Sequence, residues 1–247
     1  MQSEIHPRLD LFNLKINSRK IILGSFPPWN LSLTPTLIKK SAKLSCTSSV
    51  RSIEIPFFYG SLNNRFWPWY QTNVDPNCDI ADILSIKKSL ARKELGVTDV
   101  ILSCERKGRS ALDKDLFNRQ YNHNFFDYPE KGQVLKLLCT SKGVMNEMLL
   151  CKAFFNTHKT VQDNGTLSKI FENEFLGKLN GDINIINNPI FRRLEVKDGG
   201  IIECLSIPSP GSPFRKLNNF GYSEDDATLY LNSYIREAFR WFLSIHN

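Results

Sequence analysis

Compact apolar runs alternate along this chain with longer stretches of helical spacing. Lys20 to Leu23, Val97 to Ser103 and Val134 to Thr140 are bounded by small or polar residues, which predicts three buried strands. Between them, Asn64 to Tyr70 predicts a helix that turns Phe66 and Trp67 inward. Ile80 to Leu95 carries Ile83, Ile86, Leu90 and Leu95 at helical intervals up to a stop at Gly96. After the third strand come a helical run from Val144 to Phe155 and an amphipathic one from Thr166 to Leu179, with Leu167, Ile170, Phe171 and Phe175 on one side. Gly181 to Ile186, Ile190 to Val196 and Ile201 to Leu205 read as strand pieces, the last two joined at Asp198-Gly199-Gly200 as a hairpin. Ser223, followed by Glu224, Asp225 and Asp226, caps a closing helix whose apolar surface is Leu229, Leu231, Tyr234, Ile235, Phe239 and Phe242. Strands alternating with helices predict an α/β fold, a three-layer α/β/α sandwich around a mainly parallel central sheet, in one domain over residues 1–247. Residues before Arg19 read as an entry segment without chemistry.

The loops that follow the strands carry the unusual residues. The first strand stops at G-S-F-P-P, Gly24 to Pro28, where glycine lets the backbone pass close to a ligand and the prolines stiffen the turn. F-F-Y-G-S-L-N-N-R-F-W, Phe57 to Trp67, crowds rings around two adjacent asparagines, offering stacking surfaces and amide groups suited to a planar heterocycle. The second predicted strand leaves through C-E-R-K-G-R-S, where Arg106, Lys107 and Arg109 surround Gly108 as a cationic loop. The hairpin delivers the chain to I-P-S-P-G-S-P, Ile207 to Pro213.

These pieces, in this order, resemble the uracil-DNA glycosylase superfamily, most of all its hypoxanthine-DNA glycosylase-like branch; the N-R-F-W is shared with the mismatch-specific uracil/thymine branch. The resemblance implies hydrolysis of the N-glycosidic bond of a flipped, deaminated base, uracil or hypoxanthine, leaving an abasic site. It implies that Gly24, Phe26, Pro27, Tyr59 and Ile207 bound the base, with Tyr59 stacking on it, and that Asn64 positions the attacking water while Ser25, beside it, bonds the base or that water. Ser209, Gly211, Ser212, Phe214, Arg215 and Lys216, with Arg106, Lys107 and Arg109, are the expected DNA contacts. The bland alternatives stay beside these roles: Tyr59 closing the core, Asn64 as a helix cap, Ser25 bonding its own turn.

Three positions depart from the family pattern. Phe26 stands where most relatives carry the Asp or Asn that positions water, and a phenyl ring neither orients nor deprotonates water. Ile207 replaces the His or Asn that stabilises the leaving base, a task then left to main-chain N–H groups. Gly211 replaces a leucine wedge, with Phe214 the nearby substitute.

Composition narrows the partners. The 247 residues hold 32 Lys and Arg against 25 Asp and Glu, a formal charge of +7, which favours a polyanion. Lys39, Lys40 and Lys43 read as a solvated basic loop. Six cysteines lie without C-x-x-C spacing, so no zinc or iron–sulfur cofactor is expected. The absence of a long apolar run or a signal-like N-terminus predicts a cytoplasmic protein with no membrane partner, read as a monomer. A catalytically weak nucleic-acid-binding protein on the same scaffold is the main rival reading, and a hydrolase of free nucleosides the third.

Overall fold

The computed structural model describes residues 2–7, 19–27, 55–108, 113–122, 130–150, 161–163, 191–196, 199–214 and 223–244. The chain has an α/β fold, and its described residues build two sheets. The larger has six strands in the order β3-β2-β6-β9-β8-β7. These are β2 Lys20–Gly24, β3 Leu95–Asp99, β6 Val134–Cys139, β7 Val161–Asp163, β8 Phe191–Val196 and β9 Ile201–Ser206. The pairs β3/β2, β2/β6 and β6/β9 are parallel, while β8 and β7 complete the sheet in antiparallel register. The chain runs from β2 to one neighbour, β3, and then crosses to the other, β6. The strand order therefore reverses at β2, where open α/β sheets form a crevice beyond the carboxyl ends of their strands.

Alternation along these strands sorts their side chains onto two faces. Ile22, Val97, Leu138 and Leu205 pack with three helices: α1 Phe66–Asn73, α2 Ile83–Arg92 and α4 Glu224–Leu243. Ile21, Leu23, Leu137 and Cys204 pack instead with Val144, Met145 and Met148 of α3, Lys142–Leu150. Phe66 and Trp67 are fully buried, as the aromatic crowding predicts. Ser223 caps α4, its hydroxyl accepting the Asp226 N–H at 3.1 Å. The predicted hairpin is present as β8 and β9. Of the closing helix's apolar residues, Leu229 is the exception, 68 % exposed on the outer face. Among the described residues no helix is long and apolar enough to cross a membrane.

The expected second strand is in fact two. β3 ends at Asp99, and the chain then enters a separate antiparallel sheet, β1-β4-β5, formed by β1 Gln2–Ile5, β4 Ile101–Arg106 and β5 Leu116–Tyr121. Val100 and Ile101 bend away from the main ladder while donating their N–H groups to the carbonyls of Gly24 and Ser25 at 2.8 and 3.0 Å. The N-terminal segment is therefore a paired strand, with Gln2 opposite Arg106, and it carries a site residue.

Helix α2 also ends earlier than its apolar spacing predicts. Asp82 caps it through the Leu84 and Ser85 N–H groups, and Glu94 takes a left-handed conformation (φ 55°) that stops it. Leu95 and Gly96 consequently belong to β3. The helix predicted from Asn64 begins at Phe66, whose N–H is accepted by Asn64 Oδ1 at 2.9 Å. The helical run drawn as far as Phe155 is described to Leu150. The stretches 166–179 and 181–186, with Lys39, Lys40, Lys43, Arg109, Arg215 and Lys216, lie outside the described residues.

Candidate active site

The carboxyl ends of β2, β3, β6 and β9 open into a cavity of about 360 Å³. Three of the loops singled out in the sequence meet there. Ser25, Phe26 and Pro27 line it after β2, Phe57 to Tyr59 and Ser61, Asn63 and Asn64 line it before α1, and Ser209, Pro210 and Gly211 line it after β9. Thr140 and Ser141 come from the exit of β6.

Main-chain bonds hold the loops in this arrangement. Trp67 Nε1 donates to the Phe58 carbonyl at 2.6 Å, fastening the aromatic loop to α1. The Arg65 N–H donates to the Pro210 carbonyl at 3.0 Å, joining that loop to the one after β9. Thr140 donates both its N–H and its hydroxyl to the Leu23 carbonyl, at 2.9 and 3.2 Å, which locks the exits of β6 and β2 together.

Tyr59 adopts φ 55°, an uncommon conformation for an aromatic residue, and one that concentrates at functional sites. Its ring is backed by Phe66 at 4.7 Å between centroids. Its hydroxyl is buried under the Gly24 turn, which together with the nearby Asp99 pushes the phenol well above its ordinary pKa. A Cβ on Gly24 would lie 2.7 Å from that hydroxyl, so glycine here is a matter of space.

Two carboxylates that the motif reading did not include face the same cavity. Asp99, at the end of β3, is 4 % exposed and accepts a 2.8 Å hydrogen bond from Nε2 of His6, itself 2 % exposed. Asp113, in the 3₁₀ turn Asp113–Asp115, accepts the Ser25 hydroxyl at 2.9 Å. Asp113 keeps an open outer edge, but its carboxyl stands in the cavity wall. Burial raises its pKa against the pull of the Ser25 hydrogen bond and the Arg119 charge. The signal for Asp99 was available, since an Asp inside the apolar run V-T-D-V is a buried charge that needs a purpose. Nothing local marks His6, which reaches the site through the non-local pairing of β1 with β4.

The remaining expected residues divide. Phe26 walls the cavity but is anchored among Ile101, Cys104 and Leu116 and meets the His6 ring edge-on at 5.4 Å. Ile207 does not line the cavity: it is 2 % exposed, packed in the core, and its N–H is spent on the Cys139 carbonyl at 2.9 Å. Arg106 is not a phosphate contact. It is 1 % exposed, paired with Glu4 at 2.9 Å, and donates to the Pro27 carbonyl at 2.8 Å, so it braces the first loop from within. Lys107 and Gly108 are exposed, as are Ser212 and, at the cavity mouth, Ser209 and Gly211. Among the described residues nothing lies within 4 Å of a Cβ on Gly211, and glycine itself supplies no wedge. Phe214 is half-buried against the core with the Arg65 guanidinium 5.1 Å over its ring, so it is tied down and does not project.

Comparisons with protein-family models, curated proteins and solved structures return no match for this chain.

Proposed function

We propose that the protein is a monofunctional DNA glycosylase that hydrolyses the N-glycosidic bond of a deaminated base, uracil or hypoxanthine, turned out of the duplex, on a three-layer α/β/α scaffold of the uracil-DNA glycosylase kind. The observation that carries this reading is the convergence of G-S-F-P-P, the aromatic–asparagine loop and I-P-S-P-G-S-P on one cavity at the point where the strand order reverses. Those segments are far apart in sequence, and a shared site is the function their resemblance implies.

In this reading the base enters between aromatic walls, Tyr59 and Phe26 among them. Eviction from the stack costs a few kcal/mol, least at a damaged or mismatched pair. As the glycosidic bond lengthens, positive charge grows on the sugar, and Asp99 and Asp113 supply opposing charge in a partly enclosed, low-dielectric site. A nearly formed oxocarbenium ion needs a held water more than a strong base. Asn64, Ser25 and the Asp113 carboxylate tied to Ser25 are the groups that hold it, which relieves Phe26 of a task its ring cannot do. Among the described residues no lysine lines the cavity.

The test is a duplex oligonucleotide carrying one dI or dU. Alkali-labile abasic product above background, lost in Asn64→Ala, supports the enzyme. Salt-sensitive binding without product supports the rival, a nucleic-acid-binding scaffold without catalysis, for which Phe26, Ile207 and Gly211 are the observations.

A further inference from the structure

A base drawn into the cavity leaves its phosphates at the rim, because a charged, hydrated phosphodiester does not follow a heterocycle between aromatic walls. One cation is held at that rim. Arg65 follows Asn64, which lines the cavity, and gives its N–H to the carbonyl of Pro210, which lines it from the loop after β9. Its own side chain does not line the cavity. The guanidinium lies instead along that loop, 5.1 Å over the Phe214 ring, and Phe214 is itself packed against the core. Between Pro210 and Phe214 the chain makes a tight turn, closed by the Ser212 N–H on the Ser209 carbonyl at 3.0 Å, which leaves Ser209, Gly211 and Ser212 exposed beside the cation.

Arg65 is half-buried and so partly stripped of water, yet among the described residues no carboxylate pairs with it. Arg106 and Arg119, which are also enclosed, have Glu4 and Glu147. A ring face holds a guanidinium by charge and not through an acceptor atom, so the N–H fork is left for an oxyanion, which it matches in shape. Resting on the glycosylase reading, we infer that Arg65 grips the backbone phosphate next to the evicted nucleotide, with Phe214 as its support and the exposed Ser209–Ser212 turn beside it. The main chain of the same residue joins the two cavity loops, so the phosphate grip and the base slot keep a fixed relation before DNA arrives.

The test uses the full chain and dI duplexes in which single phosphates around the lesion are replaced, one at a time, by uncharged methylphosphonates. It is read by equilibrium binding over a range of salt and by single-turnover excision. In the wild type, neutralising one phosphate that adjoins dI is expected to weaken binding at least about tenfold, and the others less. Arg65→Ala keeps the N–H to Pro210 and is expected to lose a similar factor, to lower the salt slope by about 1, and to be indifferent to that one methylphosphonate. Phe214→Leu removes the ring but keeps apolar bulk, and is expected to weaken the same contact about threefold. A methylphosphonate loss that persists in Arg65→Ala overturns the inference, and excision of dI alongside it leaves the glycosylase reading standing. A loss at one phosphate that vanishes in Arg65→Ala, with no excision by the wild type, supports the contact and overturns that reading. Wild-type binding indifferent to every single phosphate, with no excision, overturns both.

Discussion

The Tyr59 hydroxyl lies where the side chain of residue 24 would be, 2.7 Å from a Cβ built on Gly24. The aromatic loop can close on the end of β2 only because that residue has no side chain. Gly24→Ala is therefore expected to push Tyr59 and Asp99 outward, at a cost of about 1–3 kcal/mol for overpacking. Calorimetry should show a lowered Tm, and lesion binding should fall more than stability alone explains. Unchanged Tm and binding would show that the contact is not tight.

Asp113 lends itself to a pH experiment. Its pKa is raised in the folded chain, so its contribution to stability is complete below the unfolded carboxylate value and is lost as pH rises through the folded one. At neutral pH the ionised group thus works against folding, and Asp113→Asn is expected to have a Tm at least as high as the wild type. The same change should slow single-turnover excision about a hundredfold and remove the acid limb of its pH profile, which in the wild type is displaced upward from the position of a free aspartate. A profile unaltered by the substitution would remove Asp113 from the chemistry.

Arg106 and Lys107 are neighbours with opposite expectations. Breaking the buried Arg106–Glu4 pair leaves an uncompensated charge, so Arg106→Ala should cost about 3–5 kcal/mol in denaturant unfolding. Lys107→Ala should leave stability within about 0.5 kcal/mol while lowering the salt slope of DNA binding by about 1. Equal stability losses would contradict this division.

Asp99 also bears on which deaminated base leaves more readily. A carboxylate beside the departing base opposes a leaving anion, by about 4 kcal/mol at 4 Å for an effective dielectric constant near 20. Purines can instead leave neutral after protonation on the ring. Single-turnover rates in matched duplexes should therefore favour dI over dU, and a faster rate for dU would show that Asp99 does not sit beside the leaving base.

Much of this architecture is legible in the chain because it is written in local signals. The Ser223 cap, the turn before Ile201, the buried aromatic face of α1 and the Gly24 loop each follow from a few adjacent residues. What escapes is decided at a distance. V-T-D-V-I-L-S is apolar throughout, and nothing within it records that Val100 and Ile101 leave one sheet for another by bonding to Gly24 and Ser25. C-E-R-K-G-R reads as a cationic loop because the partner that buries Arg106, Glu4, lies about a hundred residues earlier. His6 enters the site through the same β1–β4 pairing. The motif reading thus finds the aromatic and amide walls of the cavity but leaves out its two carboxylates and imidazole.

The most direct measurement is a crystal structure of the protein with a duplex carrying 2′-fluoro-2′-deoxyinosine, whose fluorine slows bond cleavage. The hypoxanthine is expected turned out of the helix into the cavity, against Tyr59 and beside Asn64. A base that stays stacked in the duplex, with DNA bound away from the Gly24 turn, would contradict it.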